Sequence, residues 1–258
     1  MFDLIQRTWR VLATGFAFAC FFLGGAVLAG VVFPVLAIRP QGQKDRQQDR
    51  AQRLIHHVFR LYLTMLRGLG LIRLEVAGGE RLASSQGRII VANHPTLLDV
   101  VFLMALTPRV CCIVKHELWD NRYLKGVVRA AGYIRNDLDA DATIAACRET
   151  LDRGNNLIVF PEGTRSRIGE PVRFRRGIAN IAMLTGTPIQ LVVISCNPLT
   201  LTKGEPWYRV PPRRPRFRLE IANLMDIQRF MAYPHRGLGA RRLMQELQEF
   251  YTRRLARG

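Results

Sequence analysis

Several chemistries are missing from this 258-residue sequence. Its five cysteines, Cys20, Cys111, Cys112, Cys147 and Cys196, are odd in number and form no Cys-x-x-Cys pair, which argues against a disulfide framework or a structural zinc site. The usage fits a reducing, cytosol-facing body with small buried thiols. No GxSxG elbow, Walker loop, GxGxxG or HExxH occurs, so the usual serine-hydrolase, nucleotide and zinc-peptidase signatures are absent. There is no internal repeat. Acidic residues are scarce, 20 against 38 Lys and Arg, and the net charge is +18. That balance points to a polyanionic partner, either nucleic acid or an anionic membrane surface, and charge alone does not choose.

What is present begins with residues 11–38, which carry no charge. About 20 apolar residues of helix cross a bilayer, so this run is long enough. It is too long for the apolar core of a signal peptide and has no clean cleavage site. Gly24, Gly25 and Pro34 leave open a bent helix that dips into one leaflet. Arg7 and Arg10 precede the run. Arg39, Lys44, Arg46, Arg50 and Arg53 follow it, which places the rest of the chain in the cytoplasm. Residues 48–70 have apolar side chains at helical spacing, from Leu54 and Ile55 to Leu66 and Leu69, with Arg50, Arg53, Arg60 and Arg67 on another face. Such a helix either lies on a membrane surface or packs on the domain. The expected segments are an anchor over 1–40, a basic amphipathic helix over 41–72 and a main domain over 73–258.

After residue 71, short apolar β-rich runs alternate with helical stretches. Strands are expected at 73–76, 88–92, 110–114, 157–160, 189–195 and 217–221. Helices are expected at 97–105, 124–131, 140–153, 177–184 and 237–254. This pattern is α/β, a sheet covered by helices, with the N-terminal membrane-anchoring helix in addition. Residues 210–218, rich in Pro and Arg, read as a basic loop before an edge strand.

Two constellations carry chemistry. In Asn93-His94-Pro95-Thr96-Leu97-Leu98-Asp99, an apolar strand ends at a sharp turn and a helix starts. Asp99 in the first helical turn can reach back to one nitrogen of His94, leaving the other for a substrate hydroxyl, as in acid–base pairs. A helix capping box with an ordinary loop histidine fits the same spacing. The second is Phe160-Pro161-Glu162-Gly163-Thr164-Arg165, again after a strand. Its backbone N–H groups, hydroxyl and guanidinium suit a phosphate, with Glu162 orienting the Arg or a backbone N–H. A plain surface turn is the alternative. Arg175 and Arg176 add cations further on. Lys115 also follows a strand, and in a parallel sheet His94, Lys115 and Glu162 would share the carboxyl end where ligands collect. Ser195 and Cys196 read as structural.

Taken together, the His94-x-x-x-x-Asp99 block, the Phe160–Arg165 block and Pro188-Ile189 resemble the glycerophospholipid acyltransferase family, closest to bacterial 1-acylglycerol-3-phosphate acyltransferases. The resemblance covers roughly residues 76–195. It implies His94 as general base, oriented by Asp99, and Gly163, Thr164 and Arg165 on the acceptor's phosphate, supported by Glu162. Lys115 and Arg135 are further substrate-binding candidates. It implies a fatty-acyl thioester of acyl carrier protein or coenzyme A as donor, 1-acylglycerol 3-phosphate as acceptor and phosphatidic acid as product. No cofactor, metal or nucleic acid is expected. Anionic lipids are the expected surface partner, and a bacterial inner membrane the location. Two blocks depart from the family. Gly132-Tyr133-Ile134-Arg135-Asn136 has its Arg shifted, and Gln190 follows Ile189 where a second Pro is usual. Lyso-ornithine lipid or another lysophospholipid is therefore an alternative acceptor. A hydrolase, or a non-catalytic basic membrane or nucleic-acid binding protein, represents the other classes.

Overall fold

The computed structural model describes residues 2–37, 44–166 and 172–256. Ile38, Arg39 and the expected boundary at residue 40 lie outside them. The N-terminal helix α1 (Phe2–Val27) continues through a π turn at Leu28–Val32 into α2 (Phe33–Ala37). The wide turn directly precedes Pro34, which has no N–H to give to the i−4 carbonyl. Then follow α3 (Lys44–Gly68), β1 (Arg73–Ala77), α4 (Glu80–Ala83), β2 (Ile89–Ala92) and α5 (Asp99–Leu106). Next come β3 (Val110–Val114), α6 (Glu117–Asp120), α7 (Lys125–Ala130), β4 (Ile134–Arg135), α8 (Ala140–Asp152) and β5 (Asn156–Val159). The chain closes with α9 (Gly177–Thr185), β6 (Ile189–Asn197), β7 (Arg216–Met225), α10 (Gln228–Met231) and α11 (Arg236–Leu255).

All the expected strands and helices are present. The sequence pattern missed β4 and the one-turn helices α4, α6 and α10, which are too short to show a period. One placement is corrected. The strand after the basic loop, β7, is not an edge, because the order is β1-β7-β6-β2-β5-β3-β4 and β1 covers it. Its alternation of exposed Arg216 and Arg218 with buried Phe217, Leu219 and Ile221 suggests an edge, yet one exposed face produces the same pattern.

Strands β6, β2, β5, β3 and β4 run parallel, and β7 and β1 run against them. Every residue of β2 is buried, as expected of a central parallel strand covered on both faces. Phe217 of β7 packs edge-on to Phe102 of α5 at 4.8 Å, and Glu220 pairs with Arg254 of α11. Those two β7 positions differ in parity, so α5 and the end of α11 cover opposite faces. Tyr251 of α11 is fully buried, and its hydroxyl stands 2.7 Å from Val91 O and 3.1 Å from Val192 O, with its one proton shared between the two carbonyls. The helix α11 is thereby tied across β2 and β6.

The apolar side of α3 packs within the protein. Ala51, Ile55, Leu63 and Leu66 are buried, Gln52 Nε2 donates to Ala131 O at 2.9 Å, and His56 Nδ1 bonds Met104 O of α5 at 2.8 Å. Of the two readings of this helix, packing on the domain is the one observed. The first helix also touches the body. Ala13, Ala17 and Phe33 are buried, Tyr62 donates to Ala17 O, and Arg10 Nη2 donates to Pro212 O at 2.7 Å. Its other side exposes Ile5, Trp9, Leu12, Phe16, Leu23, Val27, Val31 and Val35. The helical stretch Ile5–Val35 is long and apolar enough to cross a membrane. Apolar residues of all three segments join one core.

Tyr251→Phe should keep the ring packing and lose the shared hydroxyl bond, an expected loss of about 0.5–1.5 kcal/mol of unfolding free energy. Denaturant unfolding of the purified protein checks this, and an unchanged midpoint would remove the tie from the account of α11.

Candidate active site

Parallel β2 and β5 end side by side, in register Ile89↔Leu157 to Val91↔Val159, so the turns after them meet. His94 stands in the first turn and Phe160–Glu162 in the second. The imidazole of His94 lies against the Phe160 ring at 4.1 Å and 22°. Its main chain is bonded on both sides to the second turn. The His94 N–H donates to Glu162 Oε1 at 2.8 Å, and the Ser166 N–H donates to His94 O at 2.7 Å. Glu162 therefore orients a backbone N–H, one of the two roles open to it from sequence.

Asp99 begins α5 and is fully buried. Its Oδ2 lies 2.8 Å from His94 Nδ1 and accepts the Thr96 N–H at 2.7 Å, while Oδ1 accepts the Thr96 hydroxyl at 2.6 Å. The contacts with Thr96 and the pairing with His94 are thus made by the same carboxylate. The arrangement puts the proton on Nδ1 and leaves the Nε2 lone pair free to accept one. Burial pushes the Asp99 carboxyl above the ordinary carboxylate range, while the bonds from His94 and Thr96 pull it back. Burial also raises Glu162, opposed by the His94 N–H. Asn93 locks the approach to the turn, exchanging two 2.8 Å bonds with the backbone of Ile194 in β6.

The remaining candidates are more dispersed. Gly163 has φ 69°, and a Cβ there would stand 2.8 Å from Arg175 Nε, so the guanidinium of Arg175 covers a position only glycine fills without strain. Sequence reading named Arg175 as a second cation but could not place it over this turn. Thr164 is partly exposed. Arg165 Nη1 donates to Leu201 O and Thr202 O, each at 3.0 Å. Lys115 is exposed at the end of β3, two strands from β2, or roughly 10 Å at about 4.8 Å per strand. Arg135 is on β4, three strands away, and forms a fork with Asp137 at 2.9 and 2.6 Å. Among the described residues, no hydrogen bond joins Lys115 or Arg135 to His94, Asp99 or Glu162. Burial pushes the Cys196 thiol up to about 12 and Cys111 up to about 11, so neither supplies a thiolate at neutral pH.

An apolar cavity of about 440 Å³ opens between α1 and the body. Leu97 and Leu98, just after His94, line one part of it, with Val101, Leu201, Trp207 and Phe18 among the other walls. Its volume falls in the range of ligand sites, about 300–1,000 Å³. Sequence reading did not find it, because its walls come from five separate segments. An apolar chamber lined by Leu97 and Leu98, in the turn between His94 and Asp99, suits a substrate that has a reactive polar group on a long hydrocarbon.

Burial that raises a carboxyl favours its neutral form in the folded protein, so the stability this contributes is present at low pH and lost as pH rises through the raised value. Glu162→Gln keeps an oxygen for the His94 N–H and has no charge. Its stability relative to wild type should therefore improve as pH rises from the ordinary glutamate value of 4.5 to neutrality. Melting curves of both proteins across that window test the sign, and a difference independent of pH contradicts it.

Comparison with known proteins gives the following. The acyltransferase family model matches residues 73–195. The human 1-acyl-sn-glycerol-3-phosphate acyltransferase alpha is 30% identical over 176 residues, which are 65% of this chain and 58% of that protein. A 1-acyl-sn-glycerol-3-phosphate acyltransferase of Helicobacter pylori is 35% identical over 113 residues, 42% of this chain and 48% of the relative. The chain thus spans about half the length of these curated relatives. Among solved structures, the 1-acyl-sn-glycerophosphate acyltransferase PlsC of Thermotoga maritima superposes with a TM-score of 0.69 at 20% identity, covering 96% of this chain and 95% of that one. That likeness shows the fold.

Proposed function

We propose, from the premise that the chain belongs to the acyltransferase family through residues 73–195, that it acylates the free hydroxyl of 1-acyl-sn-glycerol 3-phosphate to give phosphatidic acid. The single observation that carries this reading is the buried Asp99 holding His94 Nδ1 at 2.8 Å, beside an apolar cavity and within the family's matched segment. The names of the human and Helicobacter relatives point to this acceptor.

His94 Nε2 takes the proton from the acceptor hydroxyl as its oxygen attacks the thioester carbonyl. The tetrahedral intermediate collapses, the C–S bond breaks, and the leaving sulfur takes the proton back from the imidazolium. One ester and one thiol result, with no acyl-enzyme. Asp99 stabilises the transient imidazolium and keeps the ring in the reactive tautomer. The cavity beside Leu97 and Leu98 accommodates an acyl chain. The turn of Gly163, Thr164 and Arg165 holds the acceptor's phosphate, with Arg165 offering the donors not committed to residues 201 and 202. Lys115 stands near enough to add charge, and Arg135, three strands away and paired, contributes only at the margin. The donor is a thioester of acyl carrier protein or coenzyme A, and no cofactor is needed. Lyso-ornithine lipid and other lysophospholipids remain alternative acceptors, through the departures at Arg135 and Gln190.

The site acts at a membrane. The outward side of α1 is apolar from Ile5 to Val35, while its inward side is covered by Trp207, the Pro212 carbonyl and α7. A helix packed on the body along one side and apolar on the other suits insertion into one leaflet better than free spanning. The 38 basic residues hold the body against anionic lipid on the cytoplasmic side. A bacterial inner membrane is the location this branch of the family implies.

The test is acyl transfer by membranes carrying the protein, with both thioester donors and a panel of lysolipids. Label should enter phosphatidic acid. His94→Ala should lower transfer by about 10²–10⁴-fold, the usual contribution of a positioned base, and Asp99→Asn by a similar factor. Both variants should remain folded and membrane-bound. Near-wild-type activity of His94→Ala would end its role as base. Label only in another lipid would change the acceptor, and free fatty acid without transfer would favour a hydrolase.

A further inference from the structure

Arg10 belongs to the first helix, yet its side chain is buried against the body, with 9% of the residue exposed. Its Nη2 donates to Pro212 O at 2.7 Å, and its Nε is enclosed with no acceptor. Among the described residues, no carboxylate pairs with it. A neutral donor is enough to tie this helix to the body, as the adjacent Trp9 does through its indole N–H, 3.1 Å from Leu69 O. A full positive charge taken out of water is costly unless an anion joins it, so the bond to Pro212 does not account for a guanidinium at this position.

Arg10 is also the one charged residue among those that line the apolar cavity. Along α1 the lining continues through Thr14, Ala17, Phe18, Phe21 and Phe22, a single stripe with Arg10 at one end. At 1.5 Å per residue the stripe is about 18 Å long, comparable to an extended long-chain alkyl group. A second cation lies near the Arg10 end. Arg214, two residues past Pro212, bonds Ile72 O at 2.8 Å and Arg67 O at 3.1 Å, and Ile72 lines the cavity. A ligand that matches both features has an anion at one end and hydrocarbon behind it. A carboxylate fits better than a phosphate. Its two oxygens suit the uncommitted N–H groups of one guanidinium, with Thr14 one turn along, whereas a phosphate would leave further oxygens against apolar walls without donors.

We propose that the cavity binds a free long-chain fatty acid, its carboxylate on Arg10 and its chain along α1, and that this ligand inhibits the enzyme. It fills the chamber without a thioester and so excludes the donor's acyl chain. The inhibition rests on the transfer reaction proposed above, and the binding does not.

The test uses the full chain in a nonionic detergent. Palmitate, hexadecanol, hexadecyl phosphate and methyl palmitate each compete against a fluorescent long-chain alcohol. Palmitate should bind wild type roughly ten- to hundredfold more tightly than hexadecanol, the factor that a hydrogen bond to a charged group provides. Arg10→Gln should abolish that preference and leave hexadecanol binding as it was, while Arg10→Lys should retain most of it. In transfer assays palmitate should raise KM for the thioester without changing kcat, and Arg10→Gln should weaken this inhibition by the same factor. Equal affinity for palmitate and hexadecanol in wild type overturns the proposal, as does a preference that survives in Arg10→Gln. Tighter binding of hexadecyl phosphate than of palmitate overturns the choice of a carboxylate. If the glutamine variant does not fold, methyl palmitate decides in wild type. It keeps both oxygens without the charge and should bind no better than hexadecanol, and affinity equal to that of palmitate overturns the site. Palmitate binding without competitive inhibition overturns the regulatory role. If wild type transfers to no acceptor, the reaction reading fails, and the binding series decides on the Arg10 site by itself.

Discussion

The parallel pairing of β2 with β5 is the constraint on which the rest of this structure depends. Strands that run parallel and adjacent deliver their following turns to the same end of the sheet. His94 and Glu162, 68 residues apart, thereby come within a hydrogen bond of each other. Two backbone bonds and a ring stack then hold the His94 turn, so the imidazole is placed by the main chain as well as by Asp99. The geometry belongs to the sheet more than to any one side chain.

Burial at the dyad works against charge, and the bonding answers it. Asp99 is fully enclosed, which disfavours its anion, yet it accepts from His94, from the Thr96 N–H and from the Thr96 hydroxyl. Such a carboxylate cannot rotate away from the ring, because both oxygens are already engaged. The start of the helix and the His94–Asp99 pair are one structure, so the bonds to Thr96 coexist with the pairing to His94. Glu162 follows the same rule on a smaller scale, half-buried and answered by a backbone N–H.

The apolar helix at the N-terminus is a wall of the chamber that approaches His94. Its inward residues meet Trp207, Tyr62 and the Pro212 carbonyl, and its outward residues meet whatever apolar medium surrounds them. One side of the helix is an exposed apolar face and the other borders an apolar cavity, so the same element lines both.

Much of this was legible in the sequence. The apolar runs of β2 and β5 marked both as strands, while their parallel pairing entered the sequence reading only as a condition. The five-residue spacing of His94 and Asp99, after a strand and around a proline, allowed their pairing and left a capping box as the alternative. The charge-free run of residues 11–38, and the Glu-Gly-Thr-Arg turn, were equally local signals. Four results required the tertiary structure. The position of β7 inside the sheet, the contact of Glu162 with the His94 backbone, the engagement of Arg165 with Leu201 and the cavity under α1 all join segments far apart in the chain. No periodicity or spacing records such contacts, which exist only once the sheet order sets which turns and which helix faces are neighbours.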